Sequence, residues 1–310
     1  MKSLEVLYYS EEKRGRIWQE SMSKHHKTIN FHVWPDEVEL ASIDVLVVWK
    51  LTSDLISKMP NLKAIFTVSA GIDQIDFTII PSHVDVVRMI DEDLSNQLAE
   101  YAAMSVLMLY RRALDYLQCK SAKQWKPLSI KLTRNTHIGI MGLGKQGLKI
   151  IEKLKPFDFH LKGWSRSLHS IDGVSCYDQN NLNRFLSDLD ILLCVLPLTE
   201  NTKNILRKKL FSQLPAGCSL INIGRGEHLI EEELIQALNS GQIGNAILDV
   251  AIVEPLPEES ELWTHPKVMV TPHIAGVTRP ESGFESLEKS LLEWREGQKP
   301  EGLIDRRKGY

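Results

Sequence analysis

The stretch His137-Ile-Gly-Ile-Met-Gly-Leu-Gly-Lys-Gln-Gly147 decides the fold. Ile138, Ile140 and Met141 make a short apolar strand. Gly142, Gly144 and Gly147 follow in the spacing G-x-G-x-x-G, and Leu148-Lys-Ile-Ile-Glu-Lys-Leu154 continues with helical periodicity. Strand, glycine turn and helix in that order point to a dinucleotide. The first glycine permits the tight turn, the second lets a pyrophosphate approach the backbone, and the third lets helix and strand pack closely. The helix N-terminus adds free N–H groups and the positive end of its dipole. Leu143, Lys145 and Gln146 belong to the same cofactor-binding turn.

Working outward, residues 159–164, 191–195, 218–223, 244–249 and 268–270 read as further strands. Helical segments near 147–155, 203–211 and 231–239 separate several of them. This alternation predicts an α/β fold, a Rossmann-type doubly wound parallel sheet covered on both faces, with right-handed crossovers. Upstream, residues 4–9, 45–49, 64–68 and 84–88 read as buried strands of a separate α/β unit. Residues 94–119 form a long apolar helical stretch and a candidate hinge, and a helix over 281–295 follows Pro280.

Bulk properties narrow the classes. A length of 310 residues suits two domains, and 43% hydrophobic with 25% charged residues is ordinary for a globular protein. A net charge of −3 argues against nucleic acid, so Lys13-Arg14-Gly15-Arg16 and Arg306-Arg307-Lys308 read as solvated surface. No apolar run is long enough for a bilayer. Residues 4–9 are too short for a secretory signal and contain Glu5. The four cysteines include no C-x-x-C pair, and nothing points to a metal. A cytoplasmic location is expected.

The second strand of the cofactor sheet chooses the nucleotide. NAD-binding sheets place an acidic residue at its tip for the ribose hydroxyls. Here the tip reads Trp164-Ser-Arg-Ser167, with no acid. Arg166 and the hydroxyls of Ser165 and Ser167 suit a 2′-phosphate, so NADP(H) is expected over NAD(H), which stays possible. The alternative is a solvent-facing arginine in a turn.

Three ionisable residues follow late strands: Arg225, Glu254 and His273. Reduction of a 2-keto acid needs a cation for the substrate carboxylate, a proton donor for the forming alkoxide, and a carboxylate to support that donor. Arginine, histidine and glutamate meet these needs in turn. Singly, each reads as structural; together, at successive strand ends, they read as a catalytic set. Earlier in the chain, the loop Ser69-Ala-Gly-Ile-Asp73 exposes backbone amides suited to a carboxylate. It reads equally as a plain strand-to-helix turn.

Ser69-Ala-Gly-Ile-Asp73, Gln97-Leu-Ala-Glu-Tyr101, Ile140-Met-Gly-Leu-Gly-Lys-Gln-Gly147, Leu196-Pro-Leu-Thr199, Asn222-Ile-Gly-Arg-Gly226, Asp249-Val-Ala-Ile-Val-Glu-Pro-Leu-Pro257 and Thr271-Pro-His-Ile-Ala-Gly276 occur in an order that resembles the D-isomer-specific 2-hydroxyacid dehydrogenase family. The chain resembles that family over nearly its whole length. Trp164-Ser-Arg-Ser167, Gln124-Trp125, His273-Ile-Ala-Gly-Val-Thr-Arg-Pro280 and Asp305-Arg-Arg-Lys-Gly-Tyr310 resemble its glyoxylate/hydroxypyruvate reductase A type. The resemblance implies that Arg225 orients substrate, His273 is the acid/base and Glu254 its partner. It implies that Ala70 and Gly71 hold the carboxylate through their amides, and that Trp49, Arg88 and Arg279 line the substrate pocket. Leu196, Pro197 and Asp249 are to border the nicotinamide and its ribose, with Ile223 and Gly224 also on the cofactor side. Gly224 stands where the family commonly has alanine, which is expected to loosen the arginine loop.

The family further implies a flavodoxin-like substrate domain from residues 1–98 and 281–310, a dinucleotide domain over 99–280, a cleft between them, and a homodimer. The expected activity is NADPH-dependent reduction of glyoxylate to glycolate and hydroxypyruvate to D-glycerate. The alternatives are a larger 2-keto acid as substrate, or a non-catalytic protein that senses NAD(P).

Overall fold

The computed structural model describes residues 3–72 and 74–306. Asp73 of the loop motif, and Arg307, Lys308, Gly309 and Tyr310 of the terminal motif, lie outside the described residues. The chain divides into two compact units, Met1–Leu94 with Thr278–Tyr310, and Ser95–Val277.

The first unit is built on strands β1 (Leu4–Tyr9), β2 (Ile29–Val33), β3 (Val45–Val48), β4 (Ala64–Thr67) and β5 (Asp85–Val87), all parallel in the order β2-β1-β3-β4-β5. β3 and β4, Val-Leu-Val-Val and Ala-Ile-Phe-Thr, are buried at every position because helices cover both faces of a parallel sheet. β2 escapes a reading based on apolar runs. It is an edge strand in which Asn30 and His32 alternate with buried Ile29, Phe31 and Val33.

One face carries the helices Glu12–His25 and Pro280–Arg295, packed around Tyr8, Trp18, Phe31, Phe284, Leu287 and Leu291. Trp18 joins these two helices. Fully buried, its ring meets Tyr8 edge-on at 5.3 Å and its Nε1 donates to the carbonyl of Pro280 at 2.7 Å. On the far edge, the segment after the last helix pairs with β5. Arg88 N donates to Gly302 O at 2.9 Å, Ile304 N donates to Val86 O at 2.9 Å, and Val87 and Leu303 form an antiparallel bridge.

The second unit holds β6 (His137–Met141), β7 (His160–Trp164), β8 (Val174–Tyr177), β9 (Ile191–Cys194), β10 (Cys218–Asn222), β11 (Ile243–Leu248) and β12 (Val268–Val270), parallel in the order β12-β11-β10-β9-β6-β7-β8. The order reverses direction at β6 and β9, the switch point where doubly wound sheets bind ligands. β8 was not expected, because this edge strand, Val-Ser-Cys-Tyr, is only half-buried.

Two helix expectations need correction. Residues 94–119 are not one helix: Glu92–Tyr110 and Ala113–Ser121 are separated by Arg112, in the left-handed region at φ 59°. Of residues 203–211 only Lys208–Phe211 is helical. Hydroxyl–backbone bonds between Thr199 and Thr202, and Asn204 at φ 54°, tie the preceding segment into turns. Among the described residues no helix is long and apolar enough to cross a membrane.

Trp18→Ala should lower unfolding stability by about 3–5 kcal/mol, since it empties a core site and removes a buried hydrogen bond. Trp18→Phe should lose distinctly less. Urea unfolding of both variants checks this, and a Trp18→Ala protein as stable as wild type would disprove the role given to the indole.

Candidate active site

A parallel sheet collects the ends of its strands along one edge. In the second unit that edge receives the glycine turn after β6, residues 165–167 after β7, Leu196 and Pro197 after β9, Gly224 and Arg225 after β10, Asp249 and Glu254 after β11, and His273 after β12.

The three glycines differ in what surrounds them. Gly142 has φ +112° and a Cβ there would meet Val195 O at 2.8 Å, so it makes the turn. A Cβ on Gly147 would meet Gly142 O at 1.8 Å, so this glycine lets the helix Lys145–Leu154 seat on the strand. At Gly144 nothing lies within 4 Å of a Cβ, which leaves room for a phosphate at the helix N-terminus. Leu143 is buried, and Lys145 and Gln146 open the helix. At the tip of β7, Arg166 and Ser167 are exposed, while the Ser165 hydroxyl donates to Ser167 O at 2.6 Å. In this structure Ser165 shapes the turn.

Arg225, Glu254 and His273 hang on connected loops. His273 Nδ1 sits 2.8 Å from Glu254 Oε2, while Glu254 Oε1 accepts from Ala251 N at 3.1 Å. Gly226, next to Arg225, lies so close to Ala251 that a Cβ would stand 2.0 Å from that residue's carbonyl carbon. The arginine turn and the glutamate loop are therefore pressed together. With Nδ1–H directed at a carboxylate, the Nε2 atom of the imidazole is the one left to exchange a proton.

His273 itself has φ 54°, a costly conformation for a non-glycine residue. It is held by Asp249. His273 N donates to Asp249 O at 2.8 Å, and the Asp249 carboxylate accepts from Thr271 Oγ1 at 2.6 Å, Ile274 N at 2.9 Å and Ala275 N at 2.8 Å. Tyr101 O–H lies 2.5 Å from Thr271 Oγ1, and burial pushes that phenol above its usual value. In this structure Asp249, almost wholly buried, thus organises the histidine turn.

Sequence reasoning overlooked Tyr101, Thr271, Asn222 and His228. Each lies within or beside a quoted motif, but its partner is distant in sequence or is a backbone atom. Asn222 bridges the arginine turn, with Nδ2 donating to Arg225 O at 3.0 Å and Oδ1 accepting from Gly224 N at 3.2 Å. Gly224 does not loosen the loop by leaving a gap. A Cβ there would stand 2.9 Å from His228 Nδ1, so the imidazole already fills the space. Ile223 is buried and Leu196 nearly so, with Pro197 O accepting from Thr202 Oγ1 at 2.7 Å.

In the first unit, Trp49, the Ala70–Gly71 turn and Arg88 follow β3, β4 and β5, which are neighbours in the sheet. The Ser69 hydroxyl donates to Gly71 O at 2.8 Å, and Gln74 Nε2 donates to both Ser69 Oγ and Gly71 O. Among the described residues, no acceptor faces the Ala70 and Gly71 amides. Trp49 is about half exposed. Burial pushes the Arg88 guanidinium below the ordinary arginine value, and the charge of Glu301 opposes that shift. Arg279 is paired with Asp93 at 3.5 Å.

Residues 103–275 match the family described as D-isomer specific 2-hydroxyacid dehydrogenase, NAD binding domain. Glyoxylate/hydroxypyruvate reductase A of Serratia proteamaculans is 33% identical over 99% of this chain and 100% of its own. The chain belongs to the D-isomer specific 2-hydroxyacid dehydrogenase family. That family consists of oxidoreductases, and the chain is one of them.

Its reductase A likeness extends to Yersinia enterocolitica, whose enzyme is 34% identical with the same coverage. Among solved structures, a D-isomer specific 2-hydroxyacid dehydrogenase of Xanthobacter autotrophicus in complex with NADPH and MES superposes with a TM-score of 0.92 at 29% identity, covering 99% of this chain and 100% of that one. The NADPH-dependent glyoxylate/hydroxypyruvate reductase of Sinorhizobium meliloti, in complex with NADP and sulfate, gives 0.90 at 32% identity with both chains fully covered.

Asp249→Asn replaces an all-acceptor group with one that must turn N–H against a donor. Denaturant unfolding should show a loss of about 1–3 kcal/mol. An unchanged midpoint would exclude the anchoring role.

Proposed function

We propose that this oxidoreductase reduces small 2-keto acids with NADPH, glyoxylate and hydroxypyruvate first, giving glycolate and D-glycerate. The observation that carries the reading is the 2.8 Å contact of His273 Nδ1 with Glu254, on loops pressed against the Arg225 turn. The relatives named for this activity match along their whole length, and the solved neighbours named with NADPH or NADP support the choice of cofactor.

The residues present fit that cofactor. Gly144 leaves space for the pyrophosphate at a helix N-terminus, and Arg166 is an exposed cation at the tip of β7, where a 2′-phosphate falls in such sheets. Leu196 and Pro197 follow β9 and Ile223 and Gly224 follow β10, beside the switch point, which supports assigning them to the nicotinamide side. When bound, NADPH supplies the hydride for the carbonyl carbon. Arg225 holds the substrate carboxylate and polarises the carbonyl through its planar fork. His273 gives its Nε2 proton to the forming alkoxide, and Glu254 holds the ring through Nδ1. In the same reading Ala70 and Gly71 offer amides to the carboxylate, while Trp49, Arg88 and Arg279 act as substrate-binding residues. Asp249 acts beside the nicotinamide through the turn it holds.

The enzyme is proposed to work in the cytoplasm as a homodimer through its cofactor unit. Half-exposed Tyr116 and Leu117 and fully exposed Trp125 support that assembly.

The test follows NADPH absorbance with glyoxylate, hydroxypyruvate, pyruvate, phenylpyruvate and 2-ketoisovalerate, beside NADH controls. Fast turnover of the two small polar acids with NADPH favoured is expected; turnover of only the bulky acids would replace the substrate. His273→Ala should cut kcat by about 10²–10⁴-fold with cofactor binding retained. Arg166→Ala should weaken NADPH by roughly 10–100-fold, the range of one charged hydrogen bond, and NADH far less. A wild type that prefers NADH would sink the cofactor assignment.

A further inference from the structure

His228 is fully buried, yet no step proposed above uses it. Its ring lies between two loops of the second unit. Nδ1 accepts from the backbone N–H of Arg225 at 3.0 Å, and Nε2 lies 3.3 Å from the carbonyl oxygen of Pro197. A backbone N–H can only donate and a carbonyl can only accept. Both contacts are therefore satisfied in a single form, the neutral imidazole with its proton on Nε2. Burial favours that form by pushing the imidazole below its usual value, as does the charge of Arg225, while the Pro197 carbonyl and Glu227 oppose it.

The surroundings fix the ring. His228 N donates to Arg225 O at 3.2 Å and His228 O accepts from Leu206 N at 2.8 Å. Gly224 presents no side chain to the ring. A methyl group there would come within 2.9 Å of Nδ1 and 3.0 Å of Cε1, so ring and glycine occupy complementary space. Asn222 holds the Gly224 amide and the Arg225 carbonyl of the same turn.

We propose that His228 is the positioning residue for Arg225, its ring holding the Arg225 amide and the Pro197 carbonyl together so that the substrate-orienting turn and the loop after β9 move as one piece. The inference rests on the role given to Arg225 above, but the contact itself is tested without turnover.

The full-length protein is compared as wild type, His228→Leu, His228→Asn and His228→Gln. Asparagine can place Oδ1 where Nδ1 stands and so keeps the bond to Arg225. Glutamine reaches toward the Nε2 position and keeps only the link to Pro197. Hydrogen exchange at the Arg225 amide should rise roughly tenfold or more in the Leu and Gln variants, as expected for a lost buried partner. It should return close to wild type in the Asn variant. kcat/KM for glyoxylate should follow the same order, through KM for the keto acid.

If the Asn variant exchanges and turns over like the Leu and Gln variants, or all behave as wild type, the proposal is overturned. Should Leu fail to fold, the Asn and Gln pair carries the comparison. A wild type that reduces no keto acid defeats the functional reading alone, and Arg225 exchange still decides the case for His228.

Discussion

The carboxylate of Asp249 is the point from which the proposed acid–base machinery is suspended. Three donors from the strand and turn around His273 converge on its two oxygens, and the Asp249 backbone carbonyl takes the amide of His273 itself. A histidine in the left-handed region persists only where its surroundings over-determine it. Glu254 can then meet a ring whose position is already set. Arg225 belongs to the same body, because Gly226 lets its turn press on Ala251, the residue whose amide steadies Glu254. The proposed proton donor, its partner and the proposed substrate cation thus share one scaffold of backbone contacts.

The sequence was most legible where backbone chemistry leaves a local trace. G-x-G-x-x-G announces its turn because three backbone constraints fall within six residues, and each glycine meets a different one. The interior strands announce themselves because burial on both faces makes them continuously apolar. The edge strands β2 and β8 do not, since one side of each is open to polar residues. The break at Arg112 is hidden because arginine is a good helix former; only the backbone angle marks the turn.

At the site, the legible residues are those whose chemistry is unusual for a strand end: arginine, glutamate and histidine. Their supports were illegible for a physical reason. Tyr101 reaches Thr271 across 170 positions, and His228 acts on backbone atoms, which have no letter in a sequence. Asp249 is legible as a residue at the end of its strand, but nothing in the letters says that its oxygens are taken up by the following turn.

The first unit takes its strands from one end of the chain and its closing parts from the other. The helix Pro280–Arg295 covers Trp18, and the segment around Leu303 pairs with the outer edge of β5, where unpaired backbone would otherwise invite other strands. Order of synthesis therefore opposes order of completion. The opening strands leave the ribosome first, yet their sheet stays unfinished, with an open edge and an uncovered face, until the whole second unit has been made. The first unit is thus the part that completes last, and the cofactor unit, whose sequence is continuous, is the part able to finish folding before it.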